Sequence, residues 1–193
     1  MVSGRALPDA FYGRDPAVVA RGLLGKRLVR RWGGEALGGF LVETEAYYGP
    51  GDPASRAFHG MKRYNRLMWG EAGRAFIYNV HRYWMLNIVA HEAGGVGAVL
   101  IRALEPTDGM GIMLRNRPVE DMRELTSGPG KLTTALGIDR GLNGADVTDE
   151  GGEICVVDEG REVEAGASHR IGVRRDLEEA LRFFVRGSRF VSR

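Results

Sequence analysis

The alternation of apolar and polar positions divides this chain into short strands with brief helices between them. At Gly39–Pro50 (G-F-L-V-E-T-E-A-Y-Y-G-P) a period of two places Phe40, Val42, Thr44 and Ala46 on one face and Leu41, Glu43, Glu45 and Tyr47 on the other. The first face reads as core. The second carries two carboxylates and an aromatic ring, groups that are costly to bury unless they are paired or put to chemical use. For a half-buried strand the default is a solvated outer face.

The same reading extends along the rest of the chain. Asp15-Pro16 is an N-cap followed by proline at the first helical position, which predicts a helix over Ala17–Leu24 closed by Gly25. Lys26–Trp32 alternates as a strand, and Gly33-Gly34 turns it back onto Gly39–Pro50. Gly49–Gly60 is a turn-rich loop and Asn65–Gly70 a short helix. Ala75–Asn79 and Tyr83–Ala90 form a hairpin with Val80-His81-Arg82 at its tip, and Val96–Leu104 is an apolar strand ending at Glu105-Pro106. Helices are predicted over Asp108–Arg115, Val119–Leu125, from Gly130 to Leu136 and over Asp176–Leu181. Late strands are predicted at Glu153–Asp158, Ala167–Val173 and Phe183–Val185. Strands and helices mix without βαβ alternation. The expectation is therefore an α+β fold, residues 1–193 as one compact domain, with a curved, largely antiparallel sheet, short surrounding helices and a protruding β-hairpin.

With 193 residues, 44% of them hydrophobic and 27% charged, the chain can bury a sizeable core without staples. No apolar run is long enough to span a bilayer, and the opening M-V-S-G-R lacks an apolar signal segment, so a cytoplasmic protein (nucleoid-associated if bacterial) is expected. Cys155 is the single cysteine, which leaves no internal disulfide and no cysteine-based zinc site. The four histidines lack metal-ligand spacing, and no lysine has the setting of a Schiff-base nucleophile, so neither metal, cofactor nor lyase chemistry is expected. Net charge is only +2, but its distribution is uneven. Six Lys or Arg stand between Arg56 and Arg82 against Glu71 alone, and seven Arg between Arg170 and Arg193 against three acids. Interleaved with Tyr64, Trp69, Phe76, Tyr78, Tyr83 and Trp84, the first of these sectors suits a nucleic-acid backbone and its bases.

V-E-T-E-A-Y followed by G-P, then I-R-A-L-E-P, S-G-P-G-K-L, R-I-G-V and L-R-F-F-V-R-G-S, together spanning Val42 to Ser188, resemble the alkyladenine (3-methyladenine) DNA glycosylase family. The resemblance implies a monofunctional, monomeric base-excision repair enzyme acting on double-stranded DNA that contains damaged purines. Such an enzyme flips 3-methyladenine-like bases, or hypoxanthine or ethenoadenine, out of the duplex and hydrolyses the N-glycosidic bond. It further implies that Glu45 is the general base, that Tyr47 and Tyr78 stack on the extruded base, and that Asn87 crowds a purine 2-amino group. Arg102 and the backbone carbonyl of Ile171 would position the water and the DNA backbone. Glu43 reads as structural, paired with an arginine. Arg63, Lys131 and Arg174 are the candidate contacts to DNA phosphates.

The chain departs from the family pattern in two places. Where the family has Ser-His-Ala, this sequence has Ser55-Arg56-Ala57, with His59 three residues on. Arg56 or His59 must then take the packing role on the base, and an arginine cannot act as a neutral acceptor. At the hairpin tip the family's Tyr-Gly wedge is missing and one residue is deleted, which leaves Val80, His81 or Arg82 to fill the gap in the duplex. Two alternatives remain open on the sequence: a catalytically weak damaged-DNA-binding protein, and a nucleotide- or RNA-binding domain of similar fold.

Overall fold

Every strand pairing in the computed structural model is antiparallel, and the strands join in one curled half-barrel sheet that is the frame of a single domain. Residues 4–192 are described; Met1–Ser3, which open the N-terminal stretch discussed above, and Arg193, which ends its second basic sector, lie outside them. The strands are β1 (Arg5–Ala6), β2 (Arg27–Trp32), β3 (Glu35–Tyr47), β4 (Ala75–Val80), β5 (Tyr83–Val89), β6 (Ala98–Asp108), β7 (Ile154–Asp158), β8 (Ala165–Ser168) and β9 (Arg182–Val185). Their order is β1-β7-β2-β3-β6-β5-β4, with β9 also paired to β3 and β8 to β9. The helices are α1 (Asp9–Tyr12), α2 (Pro16–Gly22), α3 (Met110–Asn116) and α4 (Pro129–Ala135). Asp15 caps α2 by accepting from the Ala17 and Val18 amides, as its sequence predicts. The expected hairpins β2–β3 and β4–β5 are both present, turning at Gly33-Gly34 and His81-Arg82.

The main core gathers Leu23, Leu28, Leu37, Leu41, Leu86, Ile88, Ile101 and Leu104 beneath α2, α3 and α4. Leu41 belongs to this core and Val42 does not: Val42 packs with Ala103 and Phe190 instead. Strict alternation along β3, which put Phe40 and Val42 in the core and Leu41 with the acids, therefore fails. The register explains why. Leu41 pairs with Leu104, Glu43 with Ala103 and Thr44 with Ile101, so β3 spends one extra residue at Val42 and β6 one at Arg102. Both strands change phase at the same point. Upstream of it Leu37 and Leu41 face the main core; downstream the core-facing residues are Thr44, whose hydroxyl donates to the Ala20 carbonyl at 2.8 Å, and Ala46. Glu43, Glu45 and Tyr47 are left on the opposite side.

Five other expectations are corrected. β6 runs through Pro106 to Asp108, because Pro106 lies opposite Gly39 at a register shift where its missing N–H interrupts no regular ladder. A Cβ on Gly39 would stand 2.0 Å from the Glu105 carbonyl oxygen, so only glycine admits this close approach. The helix expected from Asp108 begins at Met110, since Asp108 still pairs with Gly38 and its carboxylate is held by Arg27 and Thr107. Val119–Leu125 forms only a 3₁₀ turn at Met122–Glu124, where Asp121 caps the Arg123 amide. Ala167–Val173 leaves the sheet after Ser168, and Asp176–Leu181 is not helical. The Asp176 carboxylate is committed to Arg170 and to the Leu177 amide, and the Leu181 carbonyl extends the edge of β3 by accepting from the Ala46 amide.

Candidate active site

Glu43 and Glu45 of β3 are 0% exposed, and the donors that surround them differ. Glu43 accepts from Arg102 Nε at 2.8 Å, Arg182 Nε at 2.7 Å, and the Ser192 hydroxyl and amide at 2.8 and 2.6 Å. Three of these donors converge on Oε1, and the Ser192 amide alone meets Oε2. Glu45 accepts from three: Tyr47 Oη at 2.8 Å and Arg102 Nη1 at 3.1 Å on Oε2, and the Ile171 amide at 2.8 Å on Oε1. Each acid thus has one oxygen with a single donor, Oε2 on Glu43 and Oε1 on Glu45. Arg102 is buried between the two acids; burial opposes its charge, but Glu45 and Glu43 outweigh that and hold it firmly protonated. Burial, and then the Glu45 charge, push the Tyr47 phenol far above its ordinary value, so Tyr47 stays a donor to Glu45.

Above this pair opens a cleft of about 880 Å³ whose lining includes Tyr47, Arg56, Tyr78, Arg102, Ile171 and Arg174. The far face of Tyr47 is backed by Arg170, whose guanidinium lies 4.5 Å from the ring centroid. Arg170 has a fully buried side chain that donates to Asp52 (2.6 and 2.7 Å), to Asp176 (2.8 and 2.5 Å) and to the Ala46 carbonyl (2.9 Å). Its neighbour Ile171 supplies the amide that meets Glu45, so the clamp fixes both the aromatic wall and a donor to the acid. Burial alone would raise the Asp176 carboxyl; the hydrogen bonds and charge of Arg170 hold it below its ordinary value instead. Arg56 lies over Tyr78, with its guanidinium 4.6 Å from the ring centroid. Among the described residues no group of His, Cys, Asp and Glu could hold a metal ion.

A family model described as methylpurine-DNA glycosylase (MPG) matches residues 10–189. The chain belongs to that family. It is 45% identical to a protein of Aeropyrum pernix over 193 residues, covering 98% of this chain and 94% of the relative. It is also 46% identical to one of Mesorhizobium japonicum, covering 96% and 87%, and 40% identical to one of Carboxydothermus hydrogenoformans, covering 97% and 98%. All three bear the name "Putative 3-methyladenine DNA glycosylase".

In this member of the methylpurine-DNA glycosylase family, the residues named from the motifs fall into three groups. Tyr47, Arg56, His59, Tyr78, Val80, Arg102, Ile171 and Arg174 share the cleft, with Glu45 buried beneath it. His59 is exposed on the cleft wall, edge-on to Phe58 at 4.8 Å. Asn87 sits on the cleft side of the sheet, in line with Leu100 and Glu45, but it is 3% exposed and its amide donates to the Phe76 and Met85 carbonyls. It does not line the cleft. The remaining residues lie around the hairpin. His81 and Arg82 form the exposed two-residue turn, His81 in the left-handed region at φ 53° and Arg82 with its guanidinium 5.2 Å from the centroid of the Tyr83 ring. Arg63 lines a second basic cleft along the edge strand β4 with Arg56, Lys62, Arg66 and Arg140. Lys131, at the start of α4, is ion-paired with Glu124. Asp52, Arg170, Asp176, Arg182 and Ser192 were not singled out from sequence. Arg170 heads the R-I-G-V block, and Asp52 lies in the G-P-G-D-P loop, the places where a signal for them existed.

Proposed function

We propose that this chain is a DNA glycosylase that hydrolyses the N-glycosidic bond of damaged purines turned out of duplex DNA, with Glu45 as general base. The observation that carries this reading is the placement of the two acids. Glu43 is tied to two arginines and the C-terminal segment, whereas all three partners of Glu45, which are Tyr47, Arg102 and Ile171, line the cleft, and its Oε1, with a single donor, can accept from a water there. The proton of that water passes to Glu45 while the oxygen attacks the anomeric carbon, and the bonding pair of the glycosidic bond leaves with the base. The sugar becomes cationic on this path, and a carboxylate beneath it stabilises the developing charge. Tyr47, stiffened by Arg170, and Tyr78 provide aromatic walls; stacking returns about 1–3 kcal/mol per base against the few kcal/mol that extrusion costs. Val80, His81 and Arg82 at the tip of the β4–β5 hairpin fill the place vacated in the duplex. Arg63 and Arg174, with the basic cleft beside β4, meet the phosphates. Membership of the family and the names of the relatives support this activity over a purely DNA-binding role or an RNA-binding domain, as does a Glu45 whose three partners all line the cleft.

The test is single-turnover base release from duplexes carrying one lesion each. Glu45→Gln keeps shape and loses basicity, and the rate should fall by at least ~10² with lesion-DNA affinity changed only a few-fold. Glu43→Gln should lower thermal stability more than rate. A larger rate loss for Glu43→Gln than for Glu45→Gln would assign the base to the other carboxylate.

A further inference from the structure

Arg56 stands on the wall of the base cleft, and it is exposed. Among the described residues it has no carboxylate partner; its guanidinium lies over Tyr78 and interacts with that side chain's hydroxyl, which leaves the remainder of its in-plane N–H groups for a ligand. Tyr47, the other aromatic wall, has the Arg170 guanidinium behind it. Arg102, Arg174 and Arg175 complete the cationic lining, and no Asp or Glu lines the cleft. Glu45, beneath it, already shares its charge with Arg102. A base held here thus lies among fixed positive charges on both aromatic walls.

Resting on the glycosylase reading above, we infer that Arg56 makes this site selective for neutral purines with hydrogen-bond acceptors at both the 6 and 7 positions, hypoxanthine being the example, and against cationic N-alkylated purines. The argument has two independent parts. A cationic base a few ångströms from a guanidinium is disfavoured by like-charge repulsion, about tenfold even with nearly the screening of bulk water and more at the effective dielectric of a protein surface. A planar guanidinium also presents two parallel donors that match adjacent O6 and N7 acceptors. Methylation at N7 removes one of those acceptors, and the 6-amino group of 3-methyladenine is a donor facing a donor. A histidine at this position would offer one donor and could be neutral, so the selectivity arises from the charge and the fork that arginine brings together.

Single-turnover release from duplexes with hypoxanthine, 7-methylguanine or 3-methyladenine, each divided by its uncatalysed loss, reads the selectivity directly. The wild-type enhancement should be largest for hypoxanthine. Arg56→Gln, which removes the charge and the fork together, should lower the hypoxanthine enhancement about tenfold or more while leaving 7-methylguanine unchanged or improved. Arg56→Lys, which keeps the charge and loses the fork, should lower hypoxanthine without improving 7-methylguanine. A binding arm uses 7-deazahypoxanthine, which lacks the N7 acceptor: wild type should bind it more weakly than hypoxanthine, and Arg56→Gln should bind the two alike. Base release with a hypoxanthine to 7-methylguanine ratio unmoved by Arg56→Gln, or moved toward hypoxanthine, overturns the inference alone. A wild type that releases none of the three lesions overturns the glycosylase reading and the inference with it. Because Arg56 is on the surface, thermal melting of both variants should match wild type.

Discussion

Replacing Asp52 by Asn tests whether the Arg170 clamp holds the site together. Asp52 accepts four hydrogen bonds, from the Tyr48 and Ala54 amides at 3.0 Å each and from Arg170 Nη1 and Nη2 at 2.6 and 2.7 Å. One acceptor oxygen serves Tyr48 and Nη1, the other Ala54 and Nη2. Whichever way an asparagine amide is turned, its NH₂ therefore faces two donors, and the guanidinium loses a buried counter-charge. Breaking a buried ion pair from one side costs about 3–5 kcal/mol, and with Asp176 still in place the lower end applies. At about 2–4 °C per kcal/mol for a chain of this size, Tm should fall by about 6–12 °C. The effect should not stop at stability. Arg170 backs Tyr47 and precedes the Ile171 amide on Glu45, and loosening these by a fraction of an ångström to an ångström costs about 10- to 100-fold in rate. The assay is a thermal melt together with single-turnover base release well below both melting points. A Tm within about 2 °C of wild type would refute the buried-pair argument; a lowered Tm with an unchanged rate would refute the coupling to the acid.

Asp176→Asn should lower Tm at neutral pH, and the gap to wild type should close in acid. The Asp176 carboxyl is held below its ordinary value, so its contribution is present above the unfolded value of about 3.9 and is lost as pH falls through the folded value. Melts at neutral pH and below about pH 4 check this, and a gap that widens in acid would contradict it. His81→Gly relieves a left-handed residue that costs about 1 kcal/mol, so it should raise Tm by a few degrees while slowing base release, because the turn then has no side chain to insert. Equal rates would remove His81 from the wedge. Affinity for duplex DNA should fall with salt at a log–log slope of about −0.9 per phosphate contacted, and activity should survive EDTA. A flat salt response, or inactivation by chelation, would contradict the binding surface described.

Strand and helix positions with strong local signals were legible: the Asp15-Pro16 helix start, the Gly33-Gly34 turn and the β4–β5 hairpin are encoded by neighbours in sequence. The motif blocks named Glu45, Tyr47, Arg102 and Ile171, and the strand before the hairpin tip Tyr78, all of which the fold brings to one cleft or its floor. What escaped depends on contacts far apart in the chain. Asp176 followed by L-E-E-A-L looks like a helix start, yet its carboxylate is spent on Arg170. Ser192, near the C-terminus, meets Glu43 across 149 positions, and no local pattern announces such a pairing. The fate of the acids was misjudged by the default of a solvated face, because burial of a carboxylate is decided by partners on other strands. Asn87, named by the resemblance alone, lies on the cleft side of the sheet, but its amide is used by the backbone carbonyls beside it.

The paired extra residues at Val42 and Arg102 act as a frameshift in the side-chain code of two neighbouring strands. Were the same residues to alternate regularly through this point, the upstream frame, in which every second position is core, would continue and carry Glu43 and Glu45 into the hydrophobic interior. The shift lets a single thirteen-residue strand be written in two frames, one for packing and one for chemistry. Arg102 is itself the inserted residue on the partner strand. The counter-charge and the acids it serves therefore enter the site by the same irregularity, and neither strand could have been straightened without its neighbour.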